Sequence, residues 1–280
     1  MSEIKAKEIQ CRGLKTSYLV GVPKSEVKGI LFFIHGCPDN HLIWKNLMNR
    51  FYKEGYLVLA PNLRGIDKSE APTDKKRSRY SKDSLALDHL ELISHYGQDL
   101  PVTVVCHDIG SVSGWELARR LGPRLKKLVA INSPDPMTLF YQFRKISQVK
   151  KSWYIAFFQT GKIVELFFDK YKVPLAEKTL KLGRFPEITP ERVQEAANLF
   201  ISFLPHYRAA FAELPTRFLK KTSLVDKPML LWGNKDPFLN IPTQKDLKTV
   251  AKFPEIRVLE GGHWLFLEKE DDVFRLIQKN

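Results

Sequence analysis

An aspartate at position 108 stands between two segments of opposite character. Before it, residues 100–105 (Leu-Pro-Val-Thr-Val-Val) read as a short buried strand; after it, residues 111–121 have helical spacing. A strand that turns sharply into a helix needs small residues at the turn, and Gly110 and Ser111 provide them. Such a nucleophile elbow lifts one side chain above the carboxyl edge of a sheet. A carboxylate is ionised at neutral pH and can attack an electrophilic carbon without first losing a proton to a base. Taken alone, Asp108 would equally suit a helix N-terminus, where the dipole favours negative charge.

An ester formed on a carboxylate must be hydrolysed, which calls for a base to activate water and an acid to orient that base. His263, in Gly261-Gly262-His263-Trp264, follows the last strand; Asp236, in Gly233-Asn234-Lys235-Asp236-Pro237, follows the one before. Both therefore belong to the same sheet edge as Asp108. The order nucleophile, acid, histidine is that of a hydrolase triad on a parallel sheet. Asp135, in Ser133-Pro134-Asp135-Pro136, also follows a strand and is the weaker alternative for the acid. The turn His35-Gly36-Cys37-Pro38 adds a fourth element. Backbone amides at Cys37 and Ile109 are in the positions from which this arrangement stabilises an oxyanion.

The elements that must position these groups alternate. Residues 5–22 read as a hairpin turning near Arg12-Gly13, residues 30–35 as a continuous apolar run typical of a strand buried on both faces, and residues 56–60, 100–105 and 125–131 as further strands. Helical spacing covers 42–54, 84–96 and 111–121. The fold class is α/β, a mostly parallel sheet flanked by helices. From about 136 to 223 the alternation stops, and a stretch rich in Phe, Tyr, Leu and Lys follows, with loops marked by Gly183, Pro186 and Pro190. Strands resume at 228–232 and 256–259, with helices at 243–252 and 272–278. The expected organisation is a core of 1–135 and 224–280 interrupted after its sixth strand by a helical cap of 136–223.

The 280 residues carry a formal net charge of +14. A nucleic-acid partner is not expected: the basic residues are scattered, with the tightest cluster at Lys75-Lys76-Arg77-Ser78-Arg79 and a pair at Lys220-Lys221, and no basic stripe is interleaved with aromatics. Three cysteines, Cys11, Cys37 and Cys106, form no disulfide framework and suit a reducing compartment. The N-terminal residues lack the apolar core of a signal peptide, and no run of about 18 apolar residues could span a bilayer. The expected setting is the cytoplasm, with no integral membrane segment.

With these residues in view, nearly the whole chain resembles the α/β-hydrolase superfamily, and specifically its epoxide hydrolase branch. His35-Gly36-Cys37-Pro38 matches that family's His-Gly-x-Pro, and His107-Asp108-Ile109-Gly110 its nucleophile motif; Asn62-Leu63-Arg64-Gly65 and Gly262-His263-Trp264 are similar to two further loops. Haloalkane dehalogenases share these motifs. The cap separates the two, because epoxide hydrolases use two cap tyrosines as hydrogen-bond donors to the epoxide oxygen. Tyr154, in Tyr154-Ile155-Ala156-Phe157-Phe158-Gln159, resembles the first; Tyr207, in His206-Tyr207-Arg208, resembles the second. Either could instead be an amphipathic core residue. The chain departs from the family at Ile109, commonly Trp, and at Cys106, usually Gly. Dehalogenases hold the halide with an indole N–H at the first of these positions and a Trp or Asn at that of Cys37; neither Ile109 nor Cys37 is a good halide donor.

The resemblance implies conversion of an epoxide and water to a vicinal diol through an ester on Asp108, with Asp236 and His263 hydrolysing it and no metal or organic cofactor. A haloalkane or haloacid dehalogenase is one rival, and a non-catalytic binding protein on the same scaffold another. A retired enzyme, however, has no chemical reason to keep all five reacting groups. Phe140, Phe143, Trp153, Phe157, Phe158, Phe167 and Phe168 crowd the cap segment and predict an apolar pocket for a small lipophilic epoxide. The chain is expected to be a monomer or homodimer.

Overall fold

Continuous apolar runs at the centre and charged residues at the rim dictate the sheet. The computed structural model describes residues 3–74, 76–217 and 223–279. Strands β1 (Lys5–Cys11), β2 (Leu14–Gly21), β3 (Ile30–Ile34), β4 (Leu57–Pro61), β5 (Val102–His107) and β6 (Leu125–Ile131) belong to the main sheet, and β7 (Val225–Asp226) to a small one. The main sheet continues in β8 (Met229–Gly233) and β10 (Glu255–Leu259), while β9 (Ala251–Lys252) pairs with β7. The main sheet runs β1-β2-β4-β3-β5-β6-β8-β10. Its β1–β2 and β2–β4 pairings are antiparallel, and every pairing from β4 across to β10 is parallel. The central strands β3, β4 and β5 are wholly buried. By contrast, β1 exposes Lys5, Lys7 and Glu8, charges that keep an edge strand from pairing with another chain.

Helices α1 (Lys45–Lys53), α2 (Lys82–Tyr96) and α3 (Ser111–Leu121) flank the first half of the sheet. Between β6 and β7 lie α4 (Pro136–Gln142), α5 (Ile146–Lys151), α6 (Trp153–Phe157), α7 (Lys162–Leu182) and α8 (Pro190–Arg217), with no strand among the described residues of 136–217. Helices α9 (Gln244–Leu247), α10 (Leu265–Glu268) and α11 (Glu270–Gln278) complete the chain. Lys75, Lys220 and Lys221 of the basic clusters, and 218–222 of the anticipated cap, lie outside the described residues.

Local chemistry moves several boundaries. Ser81 accepts from the Ser84 amide and starts α2 at Lys82, two residues before the apolar spacing begins. Pro190 marks the first turn of α8 rather than a loop, since that position needs no amide donor. The helix anticipated over 243–252 is only α9: the Thr243–Asp246 capping box starts it, but the Val250 carbonyl accepts from Val225 and the chain turns into β9. Acidic residues at 270, 271 and 272 start α11 earlier than expected.

The core also holds several histidines without charge. Burial lowers His35 to about 3, His41 to about 4, His89 to about 3 and His206 to about 4, and takes His107 well below the usual range. An unfolded chain protonates these rings near pH 6.5 and the folded one does not, so folding is favoured above that value. Stability should fall as pH drops from about 6.5 towards 4, by about 1.4 kcal/mol per unit for each such ring. Urea midpoints at about pH 7 and about pH 5 check this; equal midpoints would contradict neutral burial.

Candidate active site

The elbow is built by backbones in near contact. Asp108 has φ 45°, in the left-handed region that a non-glycine residue enters at a cost of about 1–3 kcal/mol. A Cβ at Gly110 would lie 2.2 Å from the His35 carbonyl oxygen, and one at Gly36 would lie 2.5 Å from the Cβ of Asp108. Only glycine permits either approach. The unusual Cys106 is accommodated by a third glycine: a Cβ at Gly114 would sit 2.7 Å from its sulfur.

The residues singled out from the sequence converge here. His263 Nδ1 donates to Asp236 Oδ2 at 3.0 Å, and His263 Nε2 faces Asp108 Oδ1 at 4.0 Å, too far for a hydrogen bond. The Cys37 amide donates to Asp108 Oδ2 at 3.0 Å, and the Tyr207 hydroxyl to the same oxygen at 3.3 Å. Ile109 lines a cavity with Asp108. The Tyr154 ring meets Tyr207 edge-on with centroids 6.3 Å apart, and both line the cavities beside Asp108. Asp135 goes elsewhere: it caps α4 through the Met137 amide at 2.7 Å and pairs with Arg119 at 2.5 Å.

Supporting residues not identified from the sequence hold this chain of contacts. Asn132, directly after β6, donates to Asp236 Oδ2 at 2.7 Å and to the Gly262 carbonyl at 3.2 Å. Asp236 Oδ1 also accepts from the Phe238 and Leu239 amides at 2.7 and 3.1 Å. His107 Nε2 donates to the His263 carbonyl at 2.9 Å, tying the histidine loop to the elbow. Buried Asp39 accepts from the Trp264 indole at 2.8 Å and pairs with Arg192 of α8. Asn132 had a legible signal, since it is polar and follows a buried strand as Asp236 does. Asp39 had none beyond its closeness to the His-Gly turn.

Three consecutive residues on α8 face three directions, as 100° per residue requires. His206 Nε2 donates to the Arg64 carbonyl at 2.8 Å, Tyr207 faces Asp108, and Arg208 donates to the Phe158 and Gly161 carbonyls, each at 3.0 Å. Arg208 thereby fastens α8 to the end of α6, the helix that carries Tyr154.

A cavity of about 640 Å³ opens from Asp108, Tyr154, Tyr207 and His263. Its walls include Trp153, Phe157, Phe158, Phe167, Leu175 and Phe238. A smaller cavity of about 60 Å³ shares Asp108 and both tyrosines and reaches Phe143. Phe168 packs instead between Phe158 and Phe200, inside the helical segment.

Burial governs the electrostatics. It pushes Tyr154 and Tyr207 well above the usual phenol range, reinforced by the Asp108 carboxylate, so both hydroxyls keep their protons. It also raises Cys37, again with help from Asp108, leaving a neutral thiol. Burial lowers His263, but the charges of Asp236, then Asp108 and Asp39, outweigh it and leave the imidazole above its ordinary value. Burial raises Asp236, and His263 with the Asn132 and backbone donors more than reverses that.

A sheet of this order with a nucleophile elbow defines an α/β hydrolase. The chain belongs to that family: the alpha/beta hydrolase fold model matches residues 29–270. It is 30% identical to the AB hydrolase superfamily protein YfhM of Bacillus subtilis, over 96% of each chain. It is 28% identical to Epoxide hydrolase 4 of Mus musculus, over 96% of this chain and 77% of that one. An epoxide hydrolase of Bacillus megaterium, solved with an inhibitor, superposes with a TM-score of 0.80 at 26% identity, over 97% of this chain and 98% of that one.

If Asp236 holds the proton on His263, Asp236→Asn should lower the imidazole pKa, because burial then meets less opposition. Asp39→Asn should lower it by a smaller amount. Imidazole 15N shifts followed across pH measure both, and an unmoved titration in Asp236→Asn would break the assignment.

Proposed function

We propose that this hydrolase adds water to an epoxide to give a vicinal diol through an ester on Asp108, with the helical segment 136–223 acting as a cap over the site. One observation carries the reading: the elbow bears a carboxylate, and protonated phenols from two helices of that segment line the same cavity. A serine-type acyl transfer has no use for such phenols, whereas a strained ring whose oxygen must leave as an alkoxide does. The cavity walls favour a small lipophilic substrate. Relatives named epoxide hydrolases support the same chemistry. Dehalogenation is disfavoured: Ile109 and Cys37 offer poor halide donors, and the Trp264 indole is committed to Asp39. Buried, unpaired Cys11, Cys37 and Cys106 agree with a reducing, cytoplasmic setting.

In the first step an Asp108 oxygen bonds to a ring carbon while that carbon's bond to the epoxide oxygen breaks. The oxygen takes a proton from Tyr154 or Tyr207. In the second step His263, oriented by Asp236, removes a proton from water as the water oxygen attacks the ester carbonyl. The amides of Cys37 and Ile109 stabilise the resulting oxyanion. Collapse expels the diol oxygen, which takes the proton held by His263, and the hydroxyl proton left on Asp108 returns to the phenolate and restores the carboxylate. Esterification neutralises Asp108 and so removes one charge that keeps the proton on His263. More of the imidazole is then unprotonated and able to take a proton from water when the ester is present.

His263→Gln should therefore open the epoxide and stall. Intact-protein mass spectrometry should find one added substrate mass, mapped to Asp108, and Asp108→Ala should acquire none. A folded His263→Gln protein that binds substrate yet never gains the adduct, while wild type forms diol, would sink the ester mechanism.

Tyr154→Phe and Tyr207→Phe should each slow single-turnover ring opening on the order of 10²–10³-fold, with ester hydrolysis nearly intact. Rapid-quench measurement of the two steps separates these effects; opening at the wild-type rate in both variants removes the tyrosines from the mechanism.

A further inference from the structure

Helix α7 is apolar on two sides, and the protein covers only one. Val164, Phe168, Ala176 and Leu180 are buried. On the opposite side the first turns bear Ile163, 65% exposed, and Leu166, 69% exposed, beside half-covered Phe167. A ring chain continues the patch: Tyr171 lies 5.0 Å from Phe167, Phe167 lies 5.3 Å from Phe157, and Phe157 lies 6.2 Å from Trp153, itself 65% exposed. A surface helix normally turns charged or polar residues outward.

Lysines frame this apolar patch. Lys162 and Lys170 belong to the same turns of α7, with Lys170 Nζ 5.2 Å from the Tyr171 ring. Lys150 and Lys178 line the large cavity together with Trp153, Phe167 and Tyr171, so the patch is continuous with the cavity wall. Acidic side chains nearby are largely engaged: Glu165 pairs with Arg208 and Glu177 with Lys181, which leaves Asp169 on the helix.

We infer that this face of α7 and α6 docks on the surface of an anionic lipid bilayer, Ile163, Leu166 and Trp153 entering the headgroup boundary and the lysines meeting lipid phosphates and carboxylates. Aromatic and aliphatic residues framed by lysine are the composition that binds such interfaces. A second copy of the chain is the poorer occupant, because it would bring lysine against lysine around a patch that already belongs to a +14 molecule. Among the described residues no helix is long and apolar enough to cross a membrane, so the contact is peripheral. The cavity mouth would then face the lipid, and a lipophilic substrate could pass from bilayer to site without crossing water. That delivery rests on the proposed activity; the docking does not.

Co-sedimentation with vesicles tests the docking without reading turnover, so its failure leaves the proposed reaction untouched. Wild type should bind phosphatidylcholine vesicles containing phosphatidylserine, bind phosphatidylcholine alone weakly, and be released by high salt. Ile163→Ser with Leu166→Ser, and separately Lys162→Glu with Lys170→Glu, should each lower the partition coefficient by about tenfold or more at an unchanged melting temperature. None of these four residues lines the cavity. The inference fails if wild type ignores anionic vesicles, binds neutral ones equally, or is matched by both variants. It also fails if ultracentrifugation finds a dimer that Ile163→Ser with Leu166→Ser abolishes.

Discussion

Everything at this site depends on two backbones that touch. The His-Gly turn after β3 and the elbow after β5 approach so closely that Gly36 and Gly110 have no room for a methyl group. That contact forces Asp108 to positive φ and brings the Cys37 amide onto its carboxylate. The strain is sustained because β3, β5 and β6 are adjacent, paired and fully buried at this end. Relaxing the elbow would break pairings worth far more than the strain they hold. Cys106 would overfill a typical elbow, and Gly114 one helical turn on restores the space.

The second constraint is the cost of burying charge. Asp39, Asp236 and Asp108 all lie in the interior with His263, and a buried carboxylate is tolerable only when its oxygens are well supplied with donors. Asp236 has the imidazole, Asn132 and two amides; Asp39 has an arginine and an indole. Asp108 has one amide and one phenol, the poorest supply of the three. The most weakly satisfied carboxylate is thus the one that faces the cavity, and the others are held still around it.

The groups legible in the sequence share one property: each is announced by the element before it. A strand followed by a polar loop marks a carboxyl edge, and that rule, together with the chain order nucleophile, acid, histidine, brought Asp108, Asp236 and His263 together. It admits Asp135 as well as Asp236, because both follow strands; the sequence already made Asp135 the weaker alternative, and the tertiary partners, Arg119 and an α4 cap against His263, separate the two. The tyrosines were legible through family resemblance, not periodicity, since an aromatic on an amphipathic helix has the same pattern whether it packs or reacts. Asp39 and Arg208 were illegible because their partners lie across the chain on other elements. The shortened α9 was missed because its end is set by pairing of β7 with β9, a contact no local pattern records.

Helix α8 joins these threads. Its first half sends Arg192 to Asp39, whose other oxygen holds the indole next to His263. Past Pro205, which cannot donate to the preceding turn, the same helix sends Tyr207 to Asp108 and Arg208 to the end of α6. The phenol that donates to Asp108 and the arginine that holds Asp39 therefore sit on one helix. A helix interrupted by proline would ordinarily be free to bend there, but His206 is anchored to Arg64, which is itself paired with Asp88 on both carboxylate oxygens. The anchor falls one residue after the weak point. Bending at Pro205 would cost the His206 bond as it moved Tyr207, so the phenol is positioned by the core of the sheet domain as well as by the helical segment that carries it.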